Sequence, residues 1–318
     1  MHYIPDHTGI ALAMRTGLNQ EKELHRDSAM ERPSGKGAGD ENFPVGSWLL
    51  PARLRGHIAS FYAYARAIDD IADNPDLEPQ EKVWRLDRFA RAVSGNGSSD
   101  PALRKAHEIR RSLKETGVTH RHCVDLTRAF KQDATKLRYD DWDDLIGYCN
   151  FSAAPVGRYL VDLHGQPASA YPASDALCNA LQVLNHLQDC ADDYKALNRV
   201  YLPQRWMNEA GSSVEDRVRA RATPALRQVL DRCLNATGQL LALARTLPGQ
   251  LRNLRFGMEA AVIVAIAEKL CVELRRRDPL AERVELGKAQ YLGCFLAGTG
   301  RLLGDRIMRR FPREANDG

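Results

Sequence analysis

Between Pro51 and Arg310 apolar residues recur at steps of three and four, the spacing that gathers side chains on one face of an α-helix. No stretch alternates apolar with polar residues as a half-buried strand would. Proline, glycine and capping residues punctuate the helices. Pro51 can open a first helix that runs to Asp73, where Asn74-Pro75 stops it. Pro79–Val93 follows and breaks at S-G-N-G-S-S. Asp100-Pro101 supplies an N-cap and a first-turn proline for a helix ending near Gly117. Thr119–Leu137 is the next helix. Another runs from Tyr148 to about Gly165, with Pro155 as a kink or break, and Ser174-Asp175 is placed as the cap of its successor. Val214–Thr246, where Pro224 breaks or starts a segment, then Leu251–Arg277 and Gly287–Arg310 complete the set. No repeat of fixed period occurs, so the pattern predicts one all-α domain, a helical bundle.

Residues 1–40 lack this periodicity and end in P-S-G-K-G-A-G-D, which reads as a mobile N-terminal leader. The helical domain is expected over 41–312, with a short tail at 313–318. The apolar run Ala260–Ala267 is bounded by Glu259, Glu268 and Lys269. It falls far short of the roughly 20 residues that span a bilayer and reads as a buried helix.

Composition narrows the function classes. A formal charge of +4 on 318 residues is too small to argue for a nucleic-acid partner. The basic runs Arg275-Arg276-Arg277 and Arg309-Arg310 suit helix C-termini, where cations meet the negative end of the macrodipole. A weak peripheral attraction to the anionic inner face of a membrane is the lesser reading. Seven cysteines, odd in number and without C-x-x-C, fit reduced thiols in a cytoplasmic helical core.

Two segments carry the candidate chemistry: A-I-D-D-I-A-D-N-P at Ala67–Pro75 and Q-V-L-N-H-L-Q-D-C-A-D-D-Y at Gln182–Tyr194. Each sets carboxylates four residues apart on a helix face, Asp69 with Asp73 and Asp189 with Asp193. Like charges at that spacing repel by roughly a few tenths of a kcal/mol. Tyr62, Arg66, Asp69/Asp70 and Asp73 share one stripe, and Gln182, Asn185, Asp189 and Asp193 share another. Polar stripes within apolar helices need partners. Facing carboxylates joined by hard cations would supply them, and an oxygen-only donor set favours Mg²⁺ over zinc. Mg²⁺ commonly completes its shell with water and phosphate oxygens, so the expected ligand is a diphosphate. Arg66, Lys195, Arg199 and Tyr201 are the nearby cationic and donor groups. Neither a P-loop nor a dinucleotide fingerprint occurs, which argues against ATP or NAD(P)H.

Blander readings apply elsewhere. Asp140, Asp141, Asp143 and Asp144 suit a helix N-terminus by capping and dipole effects alone. His186 reads as a packed or partly exposed helix residue. His120 and His122, which flank Arg121 at a helix start, read as capping or surface residues.

With these residues in place, the chain resembles the squalene/phytoene synthase family of head-to-head prenyl transferases from about Phe43 to Leu303. The strongest signatures are F-Y-A-Y-A-R-A-I-D-D-I-A-D (Phe61–Asp73) and L-Q-V-L-N-H-L-Q-D-C-A-D-D-Y-K-A-L-N-R-V-Y-L-P (Leu181–Pro203), with support from Y-C-N-F-S-A-A-P-V-G (Tyr148–Gly157). E-N-F-P-V-G-S-W-L-L-P (Glu41–Pro51) and R-R-D-P-L-A-E-R-V (Arg276–Val284) are most similar to the bacterial branch that makes hydroxysqualene. Three departures mark the chain off from the phytoene-type enzymes. Asn42 stands where they carry serine, their late tyrosine aligns with Pro279, and one extra residue separates Asp193 from Arg199, with Asn198 in place of a customary glycine.

The resemblance implies an isoprenoid-synthase-type bundle around a central active-site cavity. It implies that Asp69, Asp70, Asp73, Asn185, Asp189 and Asp193 hold several Mg²⁺ ions. Arg66, Arg199 and Tyr201 would bind diphosphate, and Gln182 would orient a phosphate or a water. Tyr148, Phe61, Tyr62, Ala153, Val156 and Gly157 would line a tunnel for the prenyl chain. The implied reaction converts presqualene diphosphate and water to hydroxysqualene and diphosphate, without NAD(P)H and functionally coupled to other squalene-pathway enzymes. A synthase that condenses two prenyl diphosphates shares the same motifs and stays open as the alternative. A non-catalytic helical assembly partner is the third reading.

Overall fold

The computed structural model describes residues 51–97 and 99–310. The leader at 1–40, the Glu41–Leu50 segment with Asn42, the tail at 313–318 and both expected domain boundaries lie outside the described residues. Of the described residues 77% are helical and 2% lie in strands, so the all-α expectation holds.

Helices α1 (Ala52–Ala72), α2 (Pro79–Ser94), α3 (Arg104–Thr116) and α4 (Arg121–Asp133) form the first half. Their ends follow the punctuation in the sequence. Pro79 sits in the first turn of α2, and Gly95 ends that helix in the left-handed region at φ 96°. The Asp100 side chain accepts from Ala102 N and leads into α3 through a short 3₁₀ turn.

The second half contains α5 (Trp142–Ser152), α6 (Ala154–Leu163), α7 (Tyr171–Gln188), α8 (Cys190–Leu197) and α9 (Gln204–Ala210). It continues with α10 (Pro224–Ala244), α11 (Leu247–Gln250), α12 (Leu254–Arg276) and α13 (Lys288–Arg310). Pro155 lies in the first turn of α6, so of the expected kink or break the chain makes the break. The Asp141 carboxylate caps α5 by accepting from Asp144 N, as the dense acidic cluster suggested.

Several expectations need correction. Ser174 and Asp175 do not cap a helix, because Tyr171-Pro172 already opens α7; Asp175 instead accepts both Nε and Nη2 of Arg158, at 2.8 and 2.6 Å. Val214–Val218 is a 3₁₀ turn rather than part of a long helix, while Pro224 does start a segment, α10, behind the Thr223 cap. His122 is buried, with Nε2 2.8 Å from Asp162, rather than a surface residue. Two short strands also occur, β1 (Arg138–Tyr139) and β2 (Val200–Pro203), paired in parallel with Arg138 opposite Val200.

Two apolar clusters fill the bundle. One joins α1–α4 to α6 through Ile58, Ile68, Phe89, Ile109, Leu126 and Tyr159. The other joins α5, α7, α10 and α12 through Leu145, Leu184, Leu230, Val264 and Leu270. At Gly157 α6 crosses α7 so closely that a Cβ would collide with Ser174 Oγ and lie 2.6 Å from Cys178 Sγ. Ala260–Ala267 sits largely buried in α12, and among the described residues no helix is long and apolar enough to cross a membrane. All seven cysteines are unpaired. Helix α13 leaves Leu292, Leu296, Leu303 and Ile307 exposed along one row.

Candidate active site

The first aspartate segment ends α1. Asp69 and Asp70 lie in the last turn, and Asp73 is the C-cap residue, its N–H donating to Asp69 O at 2.9 Å. One turn earlier, Arg66 donates from Nη1 to Asp69 Oδ2 at 2.6 Å and from Nη2 to Asp70 Oδ1 at 3.2 Å. Burial and the Asp73 charge nonetheless hold the Asp69 carboxyl well above the usual carboxylate range, with Arg66 opposing them. The repulsion implied by the spacing is therefore present in the fold.

The second segment is not one continuous helix. Helices α7 and α8 meet at Asp189 (φ −99°, ψ 10°). Asp189 N still donates to Asn185 O at 2.9 Å, and Asp193 N to Asp189 O at 2.8 Å, so the polar stripe survives the bend. The Gln182 amide nitrogen lies 3.1 Å from His186 Nε2, and His186 Nδ1 lies 3.8 Å from Asp193. His186 is buried and stacks on Tyr201 with ring centroids 3.6 Å apart, the packed role expected of it. Arg283 reaches to 3.9 Å from Asp189. Its loop is pinned beneath α7 by Gln188, which donates to Val284 O at 2.6 Å.

Arg199 ties the two segments together. Helix α8 ends on Asn198 at φ 52°, a left-handed residue that explains why glycine is customary there; asparagine is among the few other residues that tolerate it. Arg138 holds the turn through the Asn198 backbone and side-chain oxygens. The chain then delivers Arg199, 6% exposed, whose Nη1 donates to Asp73 Oδ1 at 2.5 Å and Nη2 to Ala72 O at 3.1 Å. The extra residue before Arg199 leaves it aimed at the first segment.

Beneath this bridge lies a carboxylate that the sequence reading did not select. Asp133, at the end of α4, is buried and accepts from Tyr148 O–H at 2.8 Å and from Tyr201 O–H at 3.1 Å. Burial pushes its pKa up to about 6 against the opposing effects of Arg199 and the two tyrosines, while the Asp73 charge adds to the rise. Tyr139, Tyr148 and Tyr201 pack mutually at centroid separations of 5.3–5.6 Å, forming an aromatic layer behind the charges.

The other candidates divide. Tyr62 and Asn185 are half-buried on the same stripes as the aspartates. Lys195 is exposed on α8. Phe61 is buried and stacks on Tyr159 at 3.9 Å, and Gly157 makes the α6–α7 crossing, so both take part in helix packing. Ala153 is buried and Val156 partly so, at and just after the break between α5 and α6. A cavity of about 690 Å³ borders Tyr148 from the outer side of α4 and α5, and none of the motif aspartates lines it. Two of its cations are already paired, Lys131 with Asp87 and Lys136 with Asp144, so its charge does not suit a diphosphate.

Among the described residues, no three His, Cys, Asp or Glu side chains form a ready-made metal cluster. The donor chemistry, carboxylate and amide oxygens divided between two segments, still fits Mg²⁺. That ion retains several waters and takes few protein ligands when substrate phosphates supply the rest.

Comparison with known proteins supplies the family. The family model described as squalene/phytoene synthase matches residues 37–290. A hydroxysqualene synthase of Rhodopseudomonas palustris is 43% identical over 286 residues, 90% of this chain and 96% of that protein. One from Sinorhizobium fredii is 39% identical over 91% of this chain and 94% of that protein. Among solved structures, squalene synthase HpnC from Alicyclobacillus acidocaldarius superposes with a TM-score of 0.65 at 26% identity, covering 82% of this chain and 95% of its own.

Proposed function

The chain belongs to the squalene/phytoene synthase family, and from that premise we infer that it is a hydroxysqualene synthase acting on presqualene diphosphate. The observation that carries the site is the Arg199–Asp73 bridge, which brings residues 126 positions apart into one charged centre. Enzymes of this family process prenyl diphosphates and typically use divalent metals. In our reading Asp69, Asp70, Asp73, Asn185, Asp189 and Asp193 hold Mg²⁺, which when bound stabilises the charge that gathers on the departing diphosphate.

The protein's own groups supply the rest. Arg66 offers a planar N–H pair to phosphate oxygens as cations take up its aspartates, and Arg199, with Nη2 kept on Ala72 O, lends its charge to the same anion. The C–O bond breaks with its electron pair on the diphosphate, leaving a cyclopropylcarbinyl cation that rearranges. Tyr148 and Tyr201, fixed by Asp133, present an aromatic layer beside that charge and keep bulk water from it. One water then forms the new C–O bond and loses a proton. Purified protein with Mg²⁺ and presqualene diphosphate should yield hydroxysqualene without NADPH. Formation of presqualene diphosphate from farnesyl diphosphate, with no hydroxysqualene, would remove this assignment in favour of the condensing alternative.

A substrate and product this apolar partition into lipid, so coupling to the other squalene-pathway enzymes would run along a membrane surface. The exposed row Leu292, Leu296, Leu303 and Ile307, accompanied on α13 by Lys288 and Arg301, supports peripheral docking on anionic lipid. Co-sedimentation with vesicles rich in anionic lipid should be lost in the Leu296→Glu plus Ile307→Glu variant. Equal sedimentation of variant and parent would place the contact elsewhere.

A further inference from the structure

Two cations converge on a single backbone oxygen at the end of α1. Lys82 Nζ, from the first turn of α2, donates to Ala72 O at 2.9 Å, and Arg199 Nη2 donates to the same oxygen at 3.1 Å. One carbonyl has two lone pairs and can accept both bonds, but a helix C-terminus needs no second cation to balance its partial negative charge. The two side chains are also held differently. Arg199 is buried and anchored on Asp73 as well. Lys82 is half-buried; among the described residues its ammonium has this one neutral acceptor and no ion pair. Asp73, Glu78 and Arg199 are the charges that surround it, and Arg199 repels it.

We propose that Lys82 is a diphosphate-binding side chain. When the anion arrives beside Asp73, the ammonium leaves Ala72 O for a phosphate oxygen. Arg199 stays on Ala72 O, so the helix end keeps an acceptor's partner and the transfer leaves no buried carbonyl unpaired. A compact ammonium on a four-carbon stem suits that movement better than a guanidinium fixed at two points. The proposal rests on the diphosphate reading of this site and adds to it the one cation contributed by α2. The competing role is that of a helix cap alone, which would affect folding and leave anion affinity untouched.

The test uses inorganic diphosphate with Mg²⁺ as the probe, titrated calorimetrically into the full chain, so it does not depend on which prenyl product is made. Lys82→Met should weaken diphosphate binding by about tenfold or more, the loss of one charge-assisted hydrogen bond, while Lys82→Arg stays within about threefold of the parent. A lower melting temperature for Lys82→Met with unchanged diphosphate affinity would establish the cap and overturn the proposal. A second measurement needs no variant: Lys82 of the parent should be protected from lysine acylation, followed by mass spectrometry, when Mg²⁺ and diphosphate are added together. Unchanged acylation at saturating probe would also overturn it. Failure of the parent to bind the probe would instead remove the diphosphate site as a whole.

Discussion

Replacing Asp69 and Asp189 together by alanine is expected to lower turnover by at least about 10³-fold while leaving the metal-free protein as stable as the parent or more so. The two halves of this expectation have one cause. Burial and Asp73 raise the Asp69 carboxyl to about 8, so at neutral pH the metal-free fold must take up a proton there that the unfolded chain does not hold, which costs stability. Removing the carboxyl relieves that cost, and Arg66 keeps Asp70 as a partner. Asp189 sits at the α7–α8 junction with Arg283 at 3.9 Å, a distance at which a partly exposed pair contributes little. A group that is neutral or harmful to folding yet necessary for turnover is what a cation site requires. Product formation and urea unfolding without Mg²⁺ check the two halves separately. Turnover within tenfold of the parent would sink the catalytic role of the aspartates.

The parts of this site that the sequence revealed are those whose chemistry is periodic. Carboxylates four apart on an apolar helix are an anomaly visible in text, and Arg66 and Gln182 share their stripes. The junction at Asp189 was hidden because the i to i+4 hydrogen bonds continue through it, so the residue spacing of a bent helix matches that of a straight one. Asp133 was hidden for the opposite reason. A lone aspartate after Phe-Lys-Gln at a helix end looks like a solvated terminus, and only the tertiary approach of Tyr148 and Tyr201 buries it. Strands β1 and β2 are too short to show an alternation of period two. Lys82 and Arg283 come from a separate helix and a late loop, and neither carries a mark in the sequence that places it beside an aspartate.

The buried Asp133 gives the second large expectation, a pH dependence of stability with a definite sign. Burial raises its carboxyl from the ordinary 3.8 to about 6, so the folded state binds this proton more tightly than the unfolded chain. Its contribution is therefore complete below about pH 4 and is lost as pH rises through about 6. A shift of that size corresponds to roughly 3 kcal/mol between the limits. Asp133→Asn cannot ionise and should not share this loss. It will nevertheless be weaker at every pH, because one amide oxygen replaces two carboxylate acceptors and one of the two tyrosine hydroxyls must turn. The informative quantity is thus the difference between variant and parent, which should move in favour of the variant by a few kcal/mol on going from acid to neutral pH. Urea titrations of both proteins at the two ends of that range, without Mg²⁺, measure it directly. A difference that stays constant with pH would mean that Asp133 titrates alike in the folded and unfolded chain, with Arg199 and the tyrosines fully offsetting its burial.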